Sequence, residues 1–186
     1  MHARHTRVSP RRVRVLHAYR GVVPKVHPTA FVADSAHVIG DVELAEDASV
    51  WFNTVIRGDV NSIRIGRGTN VQDGTIIHVN RQGQPTILGD FVTVGHAARL
   101  HDCRIGSRCL IGIGAIVLDD VELGEECLVA AGSLVPPGLR VPPRSQLMGS
   151  PATVRREVNE QDLERMRRSA RNYIALKNDY RGTSGG

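Results

Sequence analysis

Three of the chain's eight histidines, His78, His96 and His101, fall in one stretch with Arg57, Gly58, Asp59, Gln72 and Asp73. Imidazole binds Zn2+, Fe2+ or Co2+, and a carboxylate or amide beside it can orient water or hold the ring in place. Such a set can hold a divalent cation and activate water for attack on an electrophilic carbon. What it does depends on which of these residues the fold brings together.

The surrounding chain has a period. Aliphatic residues recur every six positions at Val32, Val38, Leu44, Val50 and Ile56, then at Ile65, Val71 and Ile77, then at Leu88, Val94 and Leu100, and finally from Ile105 through Ile111, Val117, Leu123, Val129 and Val135. Six matches neither the helical period nor simple strand alternation, but it is a solenoid period. Each unit supplies a short strand with one inward aliphatic residue, and three units close a triangular coil. The residue two before the aliphatic is repeatedly small, as at Ala36, Ala48, Thr54, Thr75, Ala98 and Ala115, which suits a prism corner with little room. Cys103, Cys109 and Cys127 occupy the same phase and read as corner fillers.

The polar residues sit where the repeat breaks. Taking Ile56 to Ile65, Ile77 to Leu88 and Leu100 to Ile105 as single units of altered length keeps the phase, so Ile56, Ile77 and Leu100 are each three units apart on one prism face. The residue after each is Arg57, His78 and His101, which predicts a column with members one coil apart, about 4.8 Å. That separation allows two imidazoles to share one ion. Val71 and Val94 are likewise three units apart, so Asp73 and His96 share a different column, with Gln72 beside them. His96 therefore cannot complete the site of His78 and His101 within one chain, and a threefold homotrimer would bring it there from a neighbour.

The remaining sequence bounds the context. Of the formal charge of +5, Arg4, Arg7, Arg11, Arg12, Arg14 and Arg20 supply six positive units, and without them the balance falls to −1. A nucleic-acid partner is therefore not expected, nor is a membrane partner, since no stretch approaches a membrane-spanning length. Three cysteines without CxxC spacing argue against a disulfide framework and fit a reducing cytoplasm. Residues 1–19 read as a basic disordered tail, 20–150 as a parallel β-helix, and 151–186 as a C-terminal arm and helix. The prolines at 136, 137, 142, 143 and 151 are expected to end the coil. Asn159 with Asp162 reads as a helix start, and Leu163, Met166, Ala170, Tyr173 and Lys177 fall on one face, which predicts a helix along the outside of the prism with its basic residues solvated.

Three strings carry a family resemblance: RGDVNSIRIG at 57–66, QDGTIIH at 72–78 and GHAARLHDC at 95–103. At this spacing they resemble the γ-class carbonic anhydrases and their bacterial γ-carbonic-anhydrase-like relatives, over about Tyr19 to Tyr180. The resemblance implies a left-handed parallel β-helix that forms a homotrimer, with His78, His96 and His101 as ligands of Zn2+, or of Fe2+ or Co2+, between subunits. It also implies that Arg57 and Asp59 form an ion-paired group at the interface, that Gln72 and Asp73 orient the bound solvent, and that the substrate is carbon dioxide or bicarbonate. The chain departs from the family pattern at Val60 and in the acid-free loop Asn80 to Gln84, where active members place carboxylates for proton transfer. Other readings keep the fold and change the chemistry: an acyl-CoA thioester hydrolase, a hexapeptide acyltransferase, or a structural trimer stapled by its metal.

Overall fold

The computed structural model describes residues 15–183. The chain folds as a parallel β-solenoid of hexapeptide repeats with one C-terminal helix alongside, its strands gathered into a twelve-stranded and an eight-stranded sheet. The larger sheet covers two prism faces, because the strands His37–Leu44 and Val55–Ile65 run round a corner and belong to both. The eight-stranded sheet is the third face.

The register follows the hexapeptide count through all three breaks. On the first face Val38, Ile56, Ile77, Leu100, Val117 and Val135 are successive partners, and on the second Leu44, Ile65, Leu88, Ile105, Leu123 and Val141. On the third they are Val50, Val71, Val94, Ile111, Val129 and Leu147. All of these side chains are buried and form one axial core. The neighbouring residues on each strand must then point outward, which sets His78 and His101 on the outer surface of the first face. Corners are filled by Ala36, Ala48, Thr54, Thr69, Thr75, Ala98 and the three cysteines, all buried, with the thiols of Cys103 and Cys109 pushed above their usual range chiefly by that burial. The tight turns demand positive φ, taken by Gly74 at 68° and, one coil on, by Ala97 at 57°.

Three features differ from the sequence reading. Leu16–His17, within the segment assigned to the tail, pairs in parallel with Val38 and Ile39; the rest of that segment up to residue 14 lies outside the described residues. The prolines at 136, 137, 142 and 143 do not end the coil, which runs close to the expected boundary at 150. Pro142 and Pro143 follow the strand Arg140–Val141 and sit in the turn before Ser145–Gly149, so the missing N–H groups fall outside the ladders and the solenoid continues through Leu147. The chain then reverses into the antiparallel strand Ala152–Glu157.

The third difference is in the helix Glu160–Thr183, labelled α1. Its start is a reciprocal cap, with Asp162 N–H donating to Asn159 Oδ1 at 2.9 Å and Asn159 N–H to Asp162 Oδ2 at 3.2 Å. Leu163, Met166 and Ala170 are buried as their spacing requires, with Leu163 and Met166 packed on Leu128 and Val158. Lys177, on this same face by its spacing but basic and so expected in solvent, is only 1% exposed and ion-paired with Asp47 at 2.8 Å. An aromatic cluster of Phe31, Trp51, Tyr173 and Tyr180 lies beside it. No helix among the described residues is long and apolar enough to cross a membrane.

Candidate metal centre

His78 and His101 end the neighbouring strands Ile76–His78 and Arg99–His101 and are direct register partners. In each strand the central Ile77 or Leu100 is buried in the core, so the histidine after it turns outward. Their rings are 5.2 Å apart, and His78 Nδ1 faces His101 Nε2 at 3.2 Å. Each ring is tied at its other nitrogen to a carboxylate: His78 Nε2 to Asp59 Oδ1 at 2.9 Å, and His101 Nδ1 to Asp119 Oδ1 at 2.5 Å. Asp59 is itself ion-paired with Arg57. Burial pushes the Asp59 carboxyl up, but hydrogen bonds from His78 and Arg57 outweigh it and hold the group below the usual carboxylate range.

A carboxylate only accepts, so in a neutral imidazole the nitrogen facing it carries the proton and the other nitrogen carries the lone pair. Asp59 and Asp119 thereby leave two lone pairs, on His78 Nδ1 and His101 Nε2, facing each other with no proton between them. Two nitrogens bound tetrahedrally to one ion at ~2.1 Å lie about 3.4 Å apart. The observed 3.2 Å fits a shared cation.

His96 stands elsewhere. It lies in the turn after the strand Thr93–Val94 of the eight-stranded sheet and is paired there with Asp73, His96 Nδ1 to Asp73 Oδ2 at 2.7 Å. Among the described residues of one chain, no group of three or more His, Cys, Asp or Glu side chains converges to hold an ion. One chain thus offers a pair of lone pairs at one place and, through the Asp73–His96 pair, a third at another. Asp73 Oδ1 accepts from Phe52 N–H at 3.1 Å, so both of its oxygens are engaged in holding this corner. Gln72 beside it is buried, its side-chain N–H donating to Asn70 Oδ1 at 3.1 Å, and Asn70 in turn donates to Thr93 Oγ1 at 3.0 Å.

Asp119 was not among the residues singled out from the sequence. The signal was available: Val117 is the register partner of Leu100, and carrying the count one coil further sets Asp119 diagonally beside His101. Asn80 and Asn61, which contact this group, carry no such signal, because both lie in insertions that interrupt the repeat.

Comparison with known proteins bears on the fold and the family of the chain. The pattern of the family described as "Bacterial transferase hexapeptide (six repeats)" matches residues 102–137, a span that holds regular coils and none of the three histidines. Protein YrdA of Escherichia coli is 46% identical over 89% of this chain and 94% of its own length. The carbonic anhydrase of Geobacillus kaustophilus is 43% identical over 86% of this chain and 87% of its own. The crystal structure of a hexapeptide transferase family protein from Anaplasma phagocytophilum superposes with a TM-score of 0.86 at 43% identity, covering 89% of this chain and 98% of the other.

Proposed function

Because the chain belongs to the γ-carbonic-anhydrase-like family of hexapeptide-repeat proteins, we propose that it holds one divalent cation between neighbouring copies and reversibly hydrates carbon dioxide to bicarbonate. The observation that carries this is the set of three aspartate–histidine pairs, each leaving one imidazole nitrogen free to ligate. His78 and His101 of one copy and His96 of the next would be the ligands, in a homotrimer with three equivalent sites. Exposed apolar residues flank both halves of the site: Ile76 precedes His78 on its strand, and Ile113 lies one coil beyond His96 on the same corner. Such residues fit a contact between copies.

Three neutral imidazoles suit Zn2+, Fe2+ or Co2+. A cation so held supplies Lewis acidity, which makes water a competent nucleophile near neutral pH. The chain's own residues do the rest. Asp59, Asp73 and Asp119 fix the rings and their tautomers, and Arg57 balances the charge of Asp59. Gln72, its N–H engaged by Asn70, presents its carbonyl oxygen as an acceptor that orients the attacking water. Asp73, with both oxygens engaged, aims His96. With Val60 and the acid-free loop in place of the usual carboxylates, proton release falls to buffer.

The test is to purify the protein anaerobically, quantify metal per chain, and assay carbon dioxide hydration beside acyl-CoA hydrolysis. One ion per chain with hydration is the expected result. Thioester hydrolysis without hydration overturns the substrate, and a full metal complement with neither activity leaves a structural staple.

A further inference from the structure

The loop between the strands Ile76–His78 and Thr86–Leu88 reaches Asp119 of the site and lies beside Asp102 and Asp120. Asn80 Nδ2 donates to Asp119 Oδ2 at 2.7 Å, while the other oxygen of Asp119 takes His101 Nδ1–H. The loop is held from two sides. Asn61, in the insertion after Asp59, donates through Nδ2 to Gly83 O at 3.0 Å and to Asn80 O at 3.3 Å. Gly83 rests so closely on Asp102 that a Cβ there would lie 1.9 Å from Asp102 Oδ2.

We propose that Asn80 is a positioning residue of the metal centre: it fixes Asp119 and, through Asp119, the tautomer and ring orientation of His101, with Asn61 and Gly83 keeping the loop in place. The inference deepens the proposed function and rests on its metal-binding part. Asp119 is 39% exposed at its side chain, so without a donor on Oδ2 its carboxylate can turn into water and release His101. A carboxylate held at both oxygens is pre-organised, and a ring so tied presents Nε2 in one direction.

The same contacts account for the absence of acid in this loop. Asp102 is buried with one oxygen unpartnered, and Asn80 Nδ2 lies 3.5 Å from its other oxygen. A glutamate or aspartate at position 80 would add a further carboxylate beside Asp102 and Asp119. Asparagine is neutral and can donate.

The experiment uses the full chain without metal. Long-range 1H–15N NMR reads the tautomer of each imidazole, and zinc affinity is measured by competition with a chelator. In Asn80→Ala the Nδ1–H tautomer of His101 is expected to give way to a mixture, while His96, held by Asp73, is unchanged. Zinc affinity is expected to fall about tenfold. Asp119→Ala should lose at least as much, and adding Asn80→Ala to it should cause no further loss, since one residue acts through the other. An unchanged tautomer and affinity in Asn80→Ala, or additive losses in the double variant, overturns the proposal. A loop with a merely structural role would lower the melting temperature without moving the tautomer. If Asn80→Ala does not fold, Asn80→Ser, too short to reach Asp119, replaces it with the same expected outcomes. Neither readout involves carbon dioxide, so a protein that binds zinc through this relay and does not hydrate carbon dioxide overturns the activity and leaves the relay standing.

Discussion

An imidazole offers a lone pair only from the nitrogen that lacks the proton, so an aspartate at one nitrogen decides what the other can bind. This chain applies that rule three times, at Asp59–His78, Asp73–His96 and Asp119–His101. The histidines were legible in the sequence because each keeps its phase in the hexapeptide count, whereas the hydrogen bonds of Asn80 cross from an insertion to a coil 39 residues away. Gln72 is hydrogen-bonded to Asn70 rather than to these rings, so Gln72→Ala is expected to retain metal and lose about 10- to 100-fold in kcat/KM for hydration. Metal analysis beside stopped-flow kinetics checks it, and a metal-free Gln72→Ala protein would make Gln72 part of the binding shell. With no carboxylate in the 80–84 loop, kcat should also rise with buffer concentration at constant pH and ionic strength. A kcat independent of buffer would mean that an internal group carries the proton.

At the scale of elements, the helix places the same kind of pairing in the interior. The spacing of Leu163, Met166, Ala170 and Lys177 gave its buried face, but the ion pair that makes burial of Lys177 tolerable could not be read from spacing, since its partner Asp47 lies in a corner turn far away in sequence. The long stem of a lysine packs like an apolar side chain provided its ammonium finds a partner. Lys177→Ala removes both contributions. Discounted for the partly exposed Asp47, the loss is about 2 kcal/mol, or a melting temperature lower by roughly 5 °C. Trp51, the one tryptophan, lies 5.3 Å from both Tyr173 and Tyr180, so its fluorescence reports helix docking. The hydrogen bond from Lys177 lowers the Asp47 carboxyl, so this stabilisation is complete above the ordinary carboxylate value of about 4 and is lost as pH falls through the lowered one. In Lys177→Ala the acid transition of Trp51 fluorescence should shift to higher pH. Identical acid transitions in the two proteins would show that the pair does not hold the helix.

At the scale of the whole molecule, the two halves of the site are too far apart in the fold to meet. His78 and His101 project from the twelve-stranded sheet and His96 from a corner of the eight-stranded one, a separation that hexapeptide counting anticipated because His96 follows Val94, one unit before Leu100 and therefore on another prism face. Handedness was not legible in the same way, since a period of six winds equally well in either sense. In the proposed trimer every site takes His78 and His101 from one copy and His96 from the next, and complementation tests this directly. His96→Ala and His101→Ala homotrimers should each be metal-free and inactive, because every site lacks one ligand. When the two are unfolded together and refolded, any trimer with both kinds of chain has one contact at which an intact His78–His101 pair meets an intact His96. An equal mixture should therefore regain about a quarter of the wild-type metal content and activity. If mixed trimers form and remain metal-free, the ligands are not shared between copies in this way, and the exposed Ile76 and Ile113 need a different partner.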